Sequence, residues 1–575
     1  MGHVWAFFKK ISFQWAAGAL IVLAVFGVYA NTLQYPFVWD DEKIVVANPA
    51  LRDWTDIKAI AGTDVFGDPI ASGKFYRPLQ IFSYALEYRL WGLWPVGFRA
   101  TNIILHSLNA ALVLVLLFKL GIKKVPALAA ALVFAIHPIS IEAVTYISGR
   151  GEALFLLFSL LCVIAFLNGA RGASRQYAWS IVFFALAIFS KESAIVVPFI
   201  IALYYALYMH RAAASSAREQ GAGTLAALMT IAVAYAGARF LAMGATGASS
   251  LSLVADASLW ERILTAPRII ITYIELLAFP RGLHMEYLFV EHSVWSPYAL
   301  AGLPGIALAV WLSLRYIKPF KLSAFFVGWF FLGLGPFYNV VLPLSSTVRE
   351  HWAYLSAIGF FALAALAGHR AYRVGSKPAR VIILGLATVL LAYYAYATVD
   401  RNRDWSSPIA LYSHDVRYEP KSFLLHNNLG VEQFRGGDMP RAKESFENSI
   451  AQSPRQAYDV AHNNLGVILE REGDTEAAIA AYEQSIRLGG YALAYGNLGR
   501  LYVQREEPQK AIPVLEQGIA KYPSIIEMRY YLGIAYTQDN RPSQAYAIFR
   551  AIEAAVPNYQ DTRRYVERLR SGAAQ

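Results

Sequence analysis

The sequence predicts an all-α polytopic membrane protein that ends in a soluble helical-repeat domain. Three observations carry this. Of 575 residues, 57% are hydrophobic and only 16% are charged, whereas soluble globular chains are about 45–50% apolar and about 25% charged. The apolar residues come in runs separated by short basic clusters. After residue 400 the runs stop and a repeat of about 34 residues begins.

A helix needs about 20 mostly apolar residues to cross a bilayer. The expected spans are 13–31, 97–120, 125–137, 151–170, 177–190, 193–209, 224–243, 297–317, 322–342, 352–369 and 380–398. Those at 125–137 and 177–190 are short and read as tilted, extended or broken helices. Residues 258–279 carry Arg262, Arg268 and Glu275 at near-helical spacing, which predicts an amphipathic helix at the interface. Basic clusters test this layout: Lys9–Lys10, Lys123–Lys124, Arg171/Arg175, Arg211/Arg218, Arg315/Lys318/Lys321 and Arg370/Arg373/Lys377/Arg380. With eleven spans all of them fall on one side, the cytoplasmic one. A twelfth span at 258–279 would reverse the later clusters. The N-terminus is therefore expected inside and the C-terminus outside. The net charge of +11 belongs to this topology and not to a nucleic-acid footprint. The single cysteine, Cys162, lies in an apolar run, so neither an intrachain disulfide nor a Cys-based metal site can form.

This topology gives a membrane domain over 1–400, with a long outer loop at 32–96. That loop opens with "FVWDDE" (37–42) and continues to "FYRPL" (75–79). The other outer segments hold "HPISIEAVTYISGRGE" (137–152), "SKES" (190–193) and "STVREHWAY" (346–354). Polar residues from four places in the chain thus collect outside, while the inner loops are short and basic. Chemistry is expected on the extracytoplasmic face, periplasmic or lumenal.

The tail, 401–575, has glycines at 430, 466, 499 and 533 within "NNLG", "NNLG", "GNLG" and "YYLG". Ala442/Phe446, Ala478/Tyr482, Ala511/Leu515 and Ala545/Phe549 keep step with them, and Pro454, Gly490, Pro523 and Pro557 close the units. Small and aromatic positions at this period are the tetratricopeptide (TPR) pattern of paired helices. Four repeats stack eight helices into a superhelix, with 558–571 as a capping helix. Such a solenoid binds an extended peptide or a partner protein, or else serves as a spacer or dimerisation surface.

The ordered set "FVWDDE", "YRPL", "HPISIEAV…GRGE", "SKES" and "EHWAYLSAIG", followed by TPRs, resembles the transmembrane-and-TPR family of O-mannosyltransferases and its prokaryotic relatives, within the GT-C superfamily. The resemblance covers nearly the whole chain. It implies an enzyme that takes a sugar, mannose or another hexose, from a polyprenyl-phosphate donor and places it on an acceptor outside the cytoplasm. It also implies that the acidic motif of the first outer loop supplies the base, here Asp40 or Asp41. Where the family has Glu-Arg before its "Y-L-P" segment, this chain has Glu350–His351, and Ser356 replaces the proline. Either His351 or Arg349 then takes the arginine's part.

The residues themselves fit this chemistry. An attacking hydroxyl must lose a proton, which a carboxylate can accept. The departing phosphate needs cations, and Arg77, Arg150, Lys191 and Arg349 are the candidates. Glu142 is a candidate for orienting sugar or acceptor, with Arg150 as its partner or as a phosphate ligand. Each has a plainer alternative: Asp40–Glu42 as a helix N-cap, the cations as interfacial side chains, Glu142 and Arg150 as a brace, and Lys191–Glu192 as an ion pair in a turn. His106 and Asn109 lie inside an apolar span, where an interhelical hydrogen bond is expected. Hard carboxylates at 40–42 would also suit Mg2+ or Mn2+, while the resemblance implies a reaction that needs no metal. No cofactor is expected beyond the lipid-linked donor. The expected partners are that donor, membrane lipids, and an acceptor polypeptide or partner protein at the TPRs. A glycan or lipid acceptor is the alternative within the class. A non-catalytic TPR scaffold or a transporter is the alternative outside it; the convergence of outer carboxylates and cations argues against a scaffold, and the scarcity of mid-span charges against a transporter.

Overall fold

The computed structural model describes residues 2–68, 75–209, 215–243, 253–315 and 320–572. Among these the chain is α-helical, with one isolated antiparallel bridge between Tyr287 and Val348. It divides into two compact units at Glu419/Pro420. Composition puts the change near residue 400, but the last apolar helix, Lys377–Asp404, is followed by Pro408–Tyr418, which is tied into the first unit. Asp415 of that helix accepts the Met285 N–H (2.8 Å) and a proton of Arg401 (3.0 Å).

Every one of the eleven expected spans falls on a helix. In order they are α1 (Gly2–Tyr29), α2 (Pro95–Lys119), α3 (Lys124–Ile136), α4 (Arg150–Ala170), α5 (Gln176–Ser190), α6 (Val197–Tyr204), α7 (Ser215–Met243), α8 (Pro297–Arg315), α9 (Lys321–Leu334), α10 (Ala357–Val374) and α11 (Lys377–Asp404). Only six helical stretches among the described residues are long and apolar enough to cross a bilayer unaided. A seventh is added if Lys124–Ile136 and Pro138–Val144, bent by 52°, count as one. The helices Lys124–Ile136 and Lys321–Leu334 each stop at a tighter turn. The helices that reach the motif-bearing end unwind there into short 3-10 turns: Pro138–Ser140, Ile147–Gly149, Glu192–Val196, Gly335–Phe337 and Glu350–Ala353. Tighter turns cannot extend far, and irregular backbone at such depth persists only inside protein or along a cavity.

These turns are pinned by side chains. His106 bonds both the Tyr354 hydroxyl (2.6 Å) and the Ala135 carbonyl (3.0 Å), and Asn109 donates to the Ala153 carbonyl (2.9 Å). Both therefore make the interhelical bonds expected of polar groups in apolar spans. A Cβ on Gly149 would lie 2.0 Å from the Glu142 carbonyl oxygen, so only glycine lets the two turns of "IEAVTYISG" touch. The amphipathic segment forms helix Leu259–Ala278, which buries Leu264, Ile269, Ile270, Tyr273, Leu276 and Leu277. Its Tyr273 hydroxyl donates to the Arg349 carbonyl (3.0 Å), so this helix backs the last motif directly.

The second unit holds four helix pairs, Phe423–Arg435 with Met439–Gln452, Asp459–Glu472 with Thr475–Leu488, Ala492–Gln504 with Pro508–Lys521, and Ile526–Gln538 with Pro542–Ala555. Thr562–Gly572 follows as the closing helix. The repeat signature has a packing explanation. A Cβ on Gly430, Gly466, Gly499 or Gly533 would lie 2.7, 2.7, 2.3 or 2.6 Å from Phe446, Tyr482, Leu515 or Phe549. Each glycine is thus the floor for the large side chain of its own repeat. The asparagines set register between repeats. Asn497 donates to Asn463 (3.0 Å), Asn463 to Asn464 (3.2 Å), Asn464 to Asn427 (2.9 Å) and Asn427 to Asn428 (3.4 Å), a continuous amide chain across three repeats.

Candidate functional site

The adjacent aspartates of "FVWDDE" have opposite surroundings. Asp41 is fully buried. One carboxylate oxygen accepts the Val38 N–H (3.1 Å), and the other accepts the Ser148 N–H (2.8 Å) and hydroxyl (2.5 Å). It clamps the loop onto the turn Ile147–Gly149. Burial pushes its carboxyl up to about 6, against the pull of these hydrogen bonds and of Arg99. Asp40 is half-buried. Its carboxyl is also raised by burial, opposed chiefly by Arg349 and then by the Tyr146 hydroxyl, Lys43 and Arg77. Trp39, which precedes both, has a left-handed backbone (φ 54°).

Around Asp40 the predicted cations arrive already paired. Arg77 makes a bidentate pair with Glu192, Nε to Oε2 at 3.0 Å and Nη2 to Oε1 at 2.7 Å. Lys191 does not pair with its neighbour Glu192, as a local turn would have it, but with Glu152. Arg349 pairs with Glu286 (2.8 Å), and its guanidinium carbon lies 5.1 Å from the centre of the Trp39 ring. His351 Nδ1 contacts the Glu142 carboxylate, which also accepts the His351 N–H (3.1 Å), and His351 Nε2 lies 3.7 Å from Glu152. Glu152 therefore joins the Lys191 and His351 pairs.

Two predicted residues stand behind this network. Arg150 is fully buried, and none of its nitrogens is uncommitted: Nε donates to Asn102 (2.7 Å), Nη1 meets Glu87 (2.8 Å) and Nη2 donates to the Phe98 carbonyl (2.7 Å). It pairs with Glu87, not Glu142, and braces the helices. Glu350 is buried and accepts the Tyr287 hydroxyl (3.1 Å). Burial, with Glu142 nearby, holds its carboxyl well above the usual range.

Several contributors carried no recognisable signal in the sequence. Glu286 and Tyr287 lie in a stretch without a motif, and Glu87 faces inward from the helix Pro78–Trp91. Arg99 donates from Nε to the Thr145 carbonyl (3.0 Å), and its Nη1 and Nη2 reach the Tyr35 and Pro36 carbonyls. That anchors the approach to "FVWDDE". Among the described residues no three His, Cys, Asp or Glu side chains are grouped to hold a metal ion.

The arrangement offers one half-buried carboxylate within the field of two guanidiniums, and an imidazole and an ammonium joined through Glu152. That is the equipment for taking a proton at one point and stabilising negative charge at another.

Comparison with known proteins places the chain among sequences of matching architecture. The tetratricopeptide-repeat family model matches residues 427–492 and 497–559. A protein O-mannosyl-transferase of Caenorhabditis elegans is 26% identical over 449 residues, covering 74% of this chain and 61% of that protein. Human protein O-mannosyl-transferase TMTC1 is 26% identical over 496 residues, covering 77% of this chain and 55% of that protein. Mouse TMTC3 is 32% identical over a shorter 193 residues, covering 32% of this chain and 21% of that protein. The chain thus spans less than two thirds of the length of these relatives. All three are animal proteins, which does not bear out the prokaryotic kinship expected from the motifs. Over about three quarters of its length the chain is thus similar to protein O-mannosyl-transferases of the TMTC type.

Proposed function

We propose that this protein is a membrane glycosyltransferase of the GT-C type that moves a hexose from a polyprenyl-phosphate donor to a hydroxyl of a polypeptide on the extracytoplasmic side. The names of the relatives favour mannose as the sugar. The observation that carries the proposal is Asp40: a half-buried carboxylate with raised proton affinity that feels the charges of Arg349 and Arg77, while the neighbouring motif segments hold the linked pairs of Lys191, Glu152, His351 and Glu142.

Asp40 accepts the proton of the acceptor hydroxyl as its oxygen attacks the anomeric carbon. The bond from that carbon to the phosphate oxygen breaks, its electron pair leaves with the lipid phosphate, and the anomeric configuration inverts. Arg349 and Arg77 stabilise the charge that develops on the phosphate. Glu142 orients His351 toward the same region. The TPR unit recruits the acceptor polypeptide or a partner that delivers it.

The test uses purified full-length protein in nanodiscs with radiolabelled polyprenyl-phosphate mannose and an unfolded secretory polypeptide as acceptor. Label is expected on the polypeptide with wild type and not with Asp40→Asn. Label that appears equally with both proteins would sink the proposed base. No transfer by wild type, with donor binding intact, would sink the proposed reaction.

A further inference from the structure

Trp39 immediately precedes the two aspartates, and its ring belongs to a longer series. It stacks on Tyr146 with centroids 5.8 Å apart and planes 19° from parallel. Tyr146 in turn lies 5.3 Å from Trp405, just past the end of α11. Guanidiniums stand at both ends, Arg349 at 5.1 Å from Trp39 and Arg401 at 6.0 Å from Trp405. Tyr146 and Trp405 are buried. The series links the first long loop, the 137–152 segment, the 346–354 segment and the end of α11, which no local contact could hold in common register.

The backbone at Trp39 adds a second observation. A bulky residue with φ of 54° costs about 1–2 kcal/mol and persists only where the surroundings hold it. They do so from both sides. Asp41 accepts the Val38 N–H (3.1 Å), and the Asp41 N–H donates to the Val38 carbonyl (3.1 Å), closing the turn around Trp39. The turn leads directly into Asp40, whose carboxyl feels the charge of Arg349, and into Asp41, which bonds Ser148.

We infer that Trp39 is a positioning residue, whose stacked ring and left-handed backbone hold Asp40 and Arg349 in fixed relation for the transfer step. This rests on the reading of Asp40 as the base. The ring touches neither the proton nor the phosphate in that scheme. It acts through the two groups that do. The residues that set the titration of Asp40 are Arg349, Lys43, Arg77 and Tyr146, with Glu286 drawing on Arg349 from the far side. Displacing Arg349 removes the chief cation that favours the ionised form.

Trp39→Gly separates the two elements, because glycine keeps the left-handed turn at no steric cost and deletes only the ring. A misplacement of about 1 Å costs about 100-fold in rate, so that loss in kcat is expected. The acid limb of the pH–rate profile should also move, because the burial that raises the Asp40 carboxyl and the Arg349 charge that opposes it both change, which a smaller folded fraction would not produce. Trp39→Phe, which keeps a stacking ring, is expected to recover most of the rate. The double variant Trp39→Gly/Asp40→Asn is expected to be no slower than Asp40→Asn alone, since the ring acts through that carboxylate.

Wild-type kcat in Trp39→Gly, an unmoved acid limb, or a loss that adds fully to that of Asp40→Asn would each overturn the inference. If Trp39→Gly does not fold, Tyr146→Leu removes the next ring without touching the turn, and a wild-type rate and profile there overturns it equally. Full activity in Asp40→Asn would instead overturn the assignment of the base, a distinguishable result.

Discussion

Asp40→Asn and Asp41→Asn differ by one position and should fail in different assays. Asp41 is buried with three hydrogen bonds, and its carboxyl is raised from 3.8 to about 6. A folded-state value above the unfolded one means that the native protein binds the proton more tightly. The resulting stability is complete below about pH 4 and is lost as pH rises through about 6. At 1.36 kcal/mol per unit this loss amounts to about 3 kcal/mol. Asparagine cannot ionise, so the variant escapes that loss. It keeps an oxygen for Ser148 but turns an N–H toward the Val38 N–H, which costs about 1–3 kcal/mol. The two terms nearly cancel at neutral pH. Asp41→Asn should therefore unfold close to wild type at about pH 7 and be clearly less stable than wild type at about pH 4. Its transfer rate should stay within about tenfold of wild type, a barrier change of about 1.4 kcal/mol. Asp40→Asn should lose about 100- to 10,000-fold in kcat, as removal of a general base does. Denaturant unfolding in detergent across this pH range, paired with the radiolabel transfer assay, reads both. A stability difference between Asp41→Asn and wild type that stays flat with pH, or a loss of transfer as deep as that of Asp40→Asn, would refute the division of roles.

Three further outcomes are expected. Arg150→Gln strands the buried Glu87 carboxylate, so it should cost about 3–5 kcal/mol, seen as a lower unfolding midpoint and poor yield before any defect in donor affinity. Gly466→Ala puts a Cβ 2.7 Å from Tyr482 and should cost about 1–3 kcal/mol, read as faster amide exchange across Asp459–Leu488 with the membrane unit unchanged. Arg349→Gln removes the chief charge that keeps Asp40 ionised. The acid limb of kcat/KM should therefore move to higher pH, and a limb that stays in place or moves lower would contradict the pairing.

How much of this was legible in the sequence follows the range over which each feature is determined. The repeats were legible because each glycine and its large partner lie within one 34-residue unit, and the chemistry repeats four times. The motif segments were legible as polar islands between apolar runs, and they do meet. Span counting was less secure, because the helices that carry the motifs end in 3-10 turns whose onset depends on contacts such as His106 with Tyr354, 248 residues apart. The ion-pair partners were not legible at all. Arg77 finds Glu192 at a separation of 115 residues and Arg349 finds Glu286 at 63, while the adjacent Lys191 and Glu192 go to different partners. The choice between Asp40 and Asp41 turns on the bonds of Asp41 to Ser148, 107 residues away, which no local pattern announces.

The pairing of the cations also decides which of them can serve a phosphate. Paired charges are not spent charges, because a guanidinium has five N–H groups and a carboxylate engages two of them at most in a bidentate pair. Arg77 commits Nε and Nη2 to Glu192, and Arg349 commits Nη2 to Glu286, so each keeps an Nη1 group for a further acceptor. Arg150 differs in kind: each of its three nitrogens is engaged and the side chain is sealed from solvent. Lys191 is buried against Glu152 and offers a point charge with no planar fork. In the proposed reaction Arg349 and Arg77 are therefore the better candidates for phosphate ligands, with Lys191 contributing field and not contact. The carboxylate partners have their own use. They hold each guanidinium in place before a donor arrives, so little reorganisation is left for the moment of transfer. They also keep the site from accumulating positive charge, which would suppress the proton affinity that Asp40 needs as a base. A site with the same cations and no carboxylates would bind phosphate more tightly and deprotonate the acceptor less well.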